Sequence, residues 1–183
     1  MNKHTSPTRD CFLIALKTRI VLLLAFFGIG FCGLELRAES EATEYDLKAA
    51  FLMNFVQFVK WPGGASATVG ILGDDPFEGK LQKVLHGKLG IKRSRRPEEL
   101  KNCQIIFISK SERGNVGAIL SSLEGTNVLT VGDMEGFARQ GGIIGFTMDG
   151  DRVRFEVNTS AARRSGLEIS SRLLKLASRI FSS

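Results

Sequence analysis

Leu47 to Val59 reads Leu-Lys-Ala-Ala-Phe-Leu-Met-Asn-Phe-Val-Gln-Phe-Val, and the chain then meets Trp61-Pro62. At helical pitch, Leu47, Phe51, Leu52, Phe55, Val56, Phe58 and Val59 cover an arc of roughly 180°, wider than the stripe of about 100° that an ordinary surface helix needs. Such a helix must be covered on more than one side, by the rest of its domain, by a second copy or by a partner. It must also stop before Pro62, which disfavours helical geometry at the residue it follows.

The residues upstream of this helix have the pattern of an export signal. Lys3, Arg9, Lys17 and Arg19 precede the uncharged run Ile20–Leu34, and Leu36-Arg37-Ala38 offers a small residue at a cleavage point. Cleavage near Ala42 is an alternative, and an uncleaved anchor is another, although the apolar run is short for a span. The division expected is a signal peptide over residues 1–38 and one domain over 39–183. Removal of the leader takes the net charge from +6 to +3. With mixed charges along the mature chain, nothing demands nucleic acid.

Downstream, strand and helix patterns alternate. Strands are expected at Ala67–Leu72, Leu89–Arg95, Gln104–Ser109 and Asn127–Val131. The four consecutive apolar residues Ile105–Ile108 suit a central strand buried on both faces. Helices are expected from Pro76 to about His86, over Ser111–Leu123, and over Met134–Arg139 with Asp133 as cap. Gly142–Met148 and Arg152–Val157 flank Asp149-Gly150-Asp151, a hairpin signal. A helix capped by Asn158 follows. Beyond Gly166 a longer helical stretch is expected, with Ile169, Leu173, Leu176, Ala177 and Ile180 at core spacing. The fold class is therefore α/β: a single-domain α/β sandwich with a mixed, mainly parallel sheet, a C-terminal β-hairpin and flanking helices.

The sequence offers little catalytic chemistry. The mature chain keeps one histidine, His86, and one cysteine, Cys103, too few for a zinc site or a hydrolytic triad. Gly70-x-x-Gly73 lacks both phosphate-loop endings and reads as a turn. Cys103 reads either as a small buried residue or as a reactive thiol. The basic run Lys92-Arg93-Ser94-Arg95-Arg96 is either a solvated loop or a surface for an anionic partner. Ser170 and Ser171 mark tight packing or the polar rim of a groove. Arg163 and Arg164 are placed to pair with Glu156 or to receive an acidic ligand. No enzyme, cofactor or metal is expected.

Three stretches together resemble the YfiR family of exported regulators: Lys48 to Pro62, Ile71-Leu-Gly-Asp-Asp-Pro-Phe77, and Val153-Arg-Phe-Glu-Val-Asn158 through Ala162 to Ala177. Leu100 to Ser109 and Leu129 to Asp133 also fit. The resemblance implies a periplasmic, non-catalytic and often dimeric protein. It implies binding to the periplasmic domain of an inner-membrane diguanylate cyclase, which is held inactive so that cyclic di-GMP and surface attachment fall. An outer-membrane lipoprotein that sequesters the repressor is implied as well. The family's cysteine-pair redox control is not expected here, since only Cys103 matches a family cysteine. The residues expected at the contact are Phe55, Phe58 and Trp61, with Glu156, Asn158, Arg163 and Arg164 as an adjoining polar rim. A periplasmic small-ligand sensor acting on another membrane receptor is the alternative, its ligand held between the first and last helices.

Overall fold

A computed structural model describes residues 44–62, 68–85 and 89–182. The leader, the Gly63-Gly64 turn, Ala67 and His86 lie outside the described residues. The first helix, α1, covers residues 44–58 and runs directly into the short strand β1, Val59–Lys60. Strands β2 (Thr68–Leu72), β3 (Gly90–Ser94), β4 (Ile105–Ile108) and β5 (Leu129–Gly132) alternate with helices α2 (Lys80–Leu85) and α3 (Val116–Ser122). Then come the hairpin strands β6 (Ile144–Asp149) and β7 (Arg152–Asn158), and helix α4 (Thr159–Arg164). The chain closes with β8 (Glu168–Ile169), α5 (Ser171–Leu174) and β9 (Arg179–Phe181).

Seven strands form one sheet in the order β3-β2-β4-β5-β6-β7-β9, and β1 pairs with β8 in a separate ribbon. The five strands from β3 to β6 are mutually parallel, β7 runs antiparallel to β6, and β9 is parallel to β7. The expected mixed, mainly parallel sheet is thus present. Ile105–Ile108 sits between β2 and β5 and is buried on both faces, as an uninterrupted apolar strand requires. Its odd residues, Ile105 and Phe107, join one core with Val69, Ile71, Leu129, Val131 and α1. Its even residues join a second core with Leu100, Val116, Ile119 and Phe137. Basic β3 is a solvated edge, where charge discourages strand addition.

Three expected helices are absent or cut short, and in another, Ser111–Leu123, the first part is a 3-10 helix (Lys110–Asn115) ahead of α3. Pro76–Gly79 is a set of turns, because Asp75 Oδ1 accepts the Phe77 N–H (2.8 Å) and Glu78 and Gly79 take positive φ; α2 starts only at Lys80. Met134–Arg139 is also turns rather than a helix capped by Asp133. There Gly136 has φ +70, and the buried Phe137 ring fills the space beside Gly132 and Gly142, where a Cβ would lie within 2.7 and 2.1 Å of it. The third correction is the largest. No long helix closes the chain: α4 ends at Arg164, two residues before Gly166 (φ +68), Ser170 caps a helix of four residues, and Ser178 donates N–H and Oγ–H to Phe155 O (2.8 and 2.9 Å). That tether lays β9 along β7. Leu173 remains buried, but Leu176 and Ile180 are exposed rather than core.

Candidate functional site

On α1 the buried stripe is Tyr45, Lys48, Ala49, Leu52 and Phe55, an arc of roughly 120°. Its phase differs from the apolar arc read in the sequence. Leu47, at one end of that arc, is 45% exposed, whereas Lys48 is 2% exposed. Phe51 and Phe55 pack on Phe146 of β6 and Phe155 of β7, with ring centroids 5.4–6.0 Å apart. One flank of the helix, through Leu47, Phe51 and Phe58, therefore emerges from the core while still apolar.

The expected contact residues do not form one group. Phe55 is fully buried inside a single subunit and belongs to the core. Phe58 and Trp61 pack against that core from its margin and are partly exposed. They flank the β1–β8 ribbon, where Val59 faces Ile169 and Lys60 pairs with Glu168 (3.0 Å). The Trp61 Nε1–H is enclosed and has no hydrogen-bond partner. Glu156 and Asn158 alternate along β7 with Phe155 and Val157, so they point to the sheet face opposite α1 and do not adjoin Phe55.

The polar residues are engaged locally. Asn158 Oδ1 accepts the Ala161 N–H (2.8 Å), capping α4 as expected, and its Nδ2–H reaches Ala138 O (2.9 Å). Glu156 is met by Arg179 (3.8 Å), not by Arg163 or Arg164. Arg163 folds back on Thr159, and Arg164 pairs with Glu124 (3.1 Å). The basic run is also internally matched: Lys92 donates to Glu99 O, Arg93 pairs with Asp75, Arg95 with Asp74 and Arg96 with Glu99. Its three arginines are committed to the chain's own acids, and Lys92 to a backbone carbonyl.

The densest polar chemistry lies at Asp133, immediately beyond the C-terminal end of β5. Asp133 Oδ2 accepts from Tyr45 Oη–H (2.7 Å) and Lys48 Nζ–H (2.9 Å), with Lys110 Nζ 3.6 Å away. Lys48 also pairs with Glu44 one turn earlier, and its Nζ lies 4.4 Å from the Tyr45 ring centroid. The Asp133 side chain is 1% exposed, and its Oδ1 has no partner. A cavity of about 320 Å³ adjoins this cluster, lined also by Glu135, Phe146 and Met148. The sequence reading missed the cluster because Lys48 and Asp133 are 85 positions apart, and because Asp133 has the look of a helix cap. The one available signal was a lysine inside an otherwise apolar stripe.

Cys103 is buried, its Sγ 3.2 Å from the point a Gly70 Cβ would occupy. Burial pushes its thiol pKa up, and Lys92 opposes this in part. Among the described residues no group of His, Cys, Asp and Glu is arranged to hold a metal ion, and no helix is long and apolar enough to cross a membrane.

The described residues form an α/β fold on a mixed, mainly parallel sheet. Residues 45–178 match the profile described as YfiR/HmsC-like, and the chain belongs to that family. Its members are periplasmic regulators in cyclic di-GMP signalling. No curated protein matches the sequence. The fold is similar to a conserved domain protein from Vibrio cholerae O1 biovar El Tor strain N16961, with TM-score 0.55 and 9% identity, covering 74% of this chain and 60% of that one. It is also similar to the ABC domain of Streptococcus pneumoniae solved in complex with L-Trp, with TM-score 0.50 and 10% identity, covering 63% and 55%. The chain thus spans little more than half of each of these structures, and at such identities the likeness concerns the fold alone.

Proposed function

We propose that this protein is an exported repressor that binds the periplasmic domain of an inner-membrane diguanylate cyclase and lowers cyclic di-GMP. The observation that carries the reading, beside family membership, is the apolar flank of α1 that surfaces at Phe58 and Trp61 next to the β1–β8 ribbon. Partly buried aromatic side chains supply contact area at little entropic cost, the usual anchor of a protein interface. Fully buried Phe55 supports that flank from beneath. Release by an outer-membrane lipoprotein and a homodimeric working form belong to the same reading.

The test is genetic and biochemical together. Deleting the gene raises cyclic di-GMP in the parent cell, and the wild-type gene restores the low level. A folded Phe58→Ala/Trp61→Ala variant does not restore it, and the cyclase domain co-purifies with the parent protein but not with the variant. Unchanged cyclic di-GMP on deletion, with no cyclase captured by the parent protein, refutes the repressor reading.

A further inference from the structure

We propose that the C-terminal edge of the sheet, formed by α5 and β9, docks on an anionic lipid bilayer surface. Two of the large apolar side chains left exposed among the described residues lie here in one short stretch: Leu176, 63% exposed, and Ile180, 44% exposed. A single exposed leucine is ordinary, but two beside unpaired cations make a different surface. The stretch from Ile169 to Ser182 contains three cations, Arg172, Lys175 and Arg179, and no acid. Among the described residues Arg172 and Lys175 have no ion-pair partner, and Arg179 stands 3.8 Å from Glu156. Asp149 shares a surface cleft with Lys175 and Leu176, but it is met by Arg154 at 3.9 Å. The denser basic run of β3 offers no such surface, because its arginines are already paired.

Charge and strand length decide between occupants. β9 pairs only with β7, so its outer edge carries no strand. With three residues it offers few ladder bonds to an added strand, and edges this short are a usual protection against pairing. A second copy placed here across a two-fold axis would bring Arg172, Lys175 and Arg179 against their own counterparts, with no acid in the segment to answer them. A layer of phosphate headgroups answers the unpaired cations at once. Leu176 and Ile180 then enter the boundary between headgroups and acyl chains, as the apolar side chains of interfacial segments do. Charge or a small apolar contact alone anchors weakly, and stable surface binding takes both signals together. Docking of this kind raises the effective concentration of the protein at receptors embedded in the same membrane.

The probe is a vesicle of equal parts phosphatidylglycerol and phosphatidylcholine, with pure phosphatidylcholine vesicles as the control. Protein purified from the periplasm co-sediments with the anionic vesicles and not with the neutral ones. Raising salt from about 0.05 to 0.5 M lowers its partition coefficient at least tenfold. Arg172→Gln/Lys175→Gln lowers the coefficient about thirtyfold, and Leu176→Ser about fivefold. Arg95→Gln/Arg96→Gln removes the same charge from the paired run and changes the coefficient less than threefold. All of these positions are exposed, so the variants keep the Tm of the parent within a few degrees. The proposal is overturned if the parent binds neither vesicle or both equally, or if Arg172→Gln/Lys175→Gln binds like the parent. It is overturned as well if the parent self-associates in sedimentation equilibrium and Leu176→Ser abolishes that association, since the edge then meets a second copy. The assay contains no cyclase, so its outcome is separate from that of the repressor reading.

Discussion

Replacing Lys48 by methionine tests the account of how α1 is held on the sheet. Methionine keeps the unbranched stem that packs beneath the helix but removes the ammonium. The Asp133 carboxylate, 1% exposed, then loses its 2.9 Å partner and keeps Tyr45 Oη–H and Lys110 at 3.6 Å. Breaking a buried ion pair from one side costs about 3–5 kcal/mol. The surviving Tyr45 bond and the nearby lysine place the expected loss at the low end, about 3 kcal/mol. Glu44 adds little, because it is better solvated and solvent screens a charge in that position. For a domain of this size the loss lowers Tm by roughly 10 °C.

Urea unfolding followed by Trp61 fluorescence measures the effect, since the chain has a single tryptophan. The paired change Lys48→Met/Asp133→Asn separates lost attraction from stranded charge. With both charges gone, the double variant recovers at least half of the single variant's loss, because most of that loss is the uncompensated carboxylate. A single variant within about 0.5 kcal/mol of the parent is the effect of an ordinary surface site. That result would refute the buried pair, as would a double variant less stable than the single one.

Phe55→Ala removes a fully buried ring that packs on Phe51, Phe146 and Phe155, and it costs about 3–5 kcal/mol in urea unfolding. Trp61→Ala, at the margin of the same core, costs less than half as much. Gly142→Ala drives a methyl group into the Phe137 ring and destabilises by about 1–3 kcal/mol, which a thermal melt reads directly. Cys103 resists alkylation in the folded protein near neutral pH and reacts fully in denaturant, because burial suppresses its thiolate. Its raised pKa also sets a sign. As pH climbs past the ordinary thiol range the unfolded chain loses this proton before the folded one, so stability contributed by the buried thiol is present at lower pH and falls with alkali.

The parallel strands and the hairpin were legible because their signals are local. Ile105–Ile108 is apolar at every position, and Val153, Phe155 and Val157 alternate with Arg152, Arg154 and Glu156. Gly150 stands at the first central position of the two-residue turn with φ +57, as a II′ hairpin requires. The C-terminal segment misled for the opposite reason. Ile169, Leu173, Leu176, Ala177 and Ile180 have helical spacing, but a strand of the β7–β9 pair is decided by backbone tethers such as Ser178 to Phe155 O. Those tethers leave no periodicity. Strand alternation separates part of the expected rim from Phe55: residues two positions apart share a face, so Glu156 and Asn158 lie opposite Phe155, whose ring is in the core. Asp133 was hidden because its partners come from α1, far away in sequence.

The two ends of α1 then make one argument. An apolar stripe by itself tolerates rotation, since Leu47, Phe51, Leu52 and Phe55 offer the sheet similar surface over a wide arc. A lysine buried against a fixed aspartate does not. Turning the helix by one residue, 100°, would carry Lys48 out of reach of Asp133 and strand a carboxylate in the core, at a cost that small gains in ring packing do not offset. The ion pair therefore contributes less to net stability than to choosing one phase for the helix. In that phase Phe55 faces Phe146 and Phe155, while Phe58 lies on the flank left partly open. Which aromatic side chains of α1 reach the surface is thus set by a polar contact near the helix's other end.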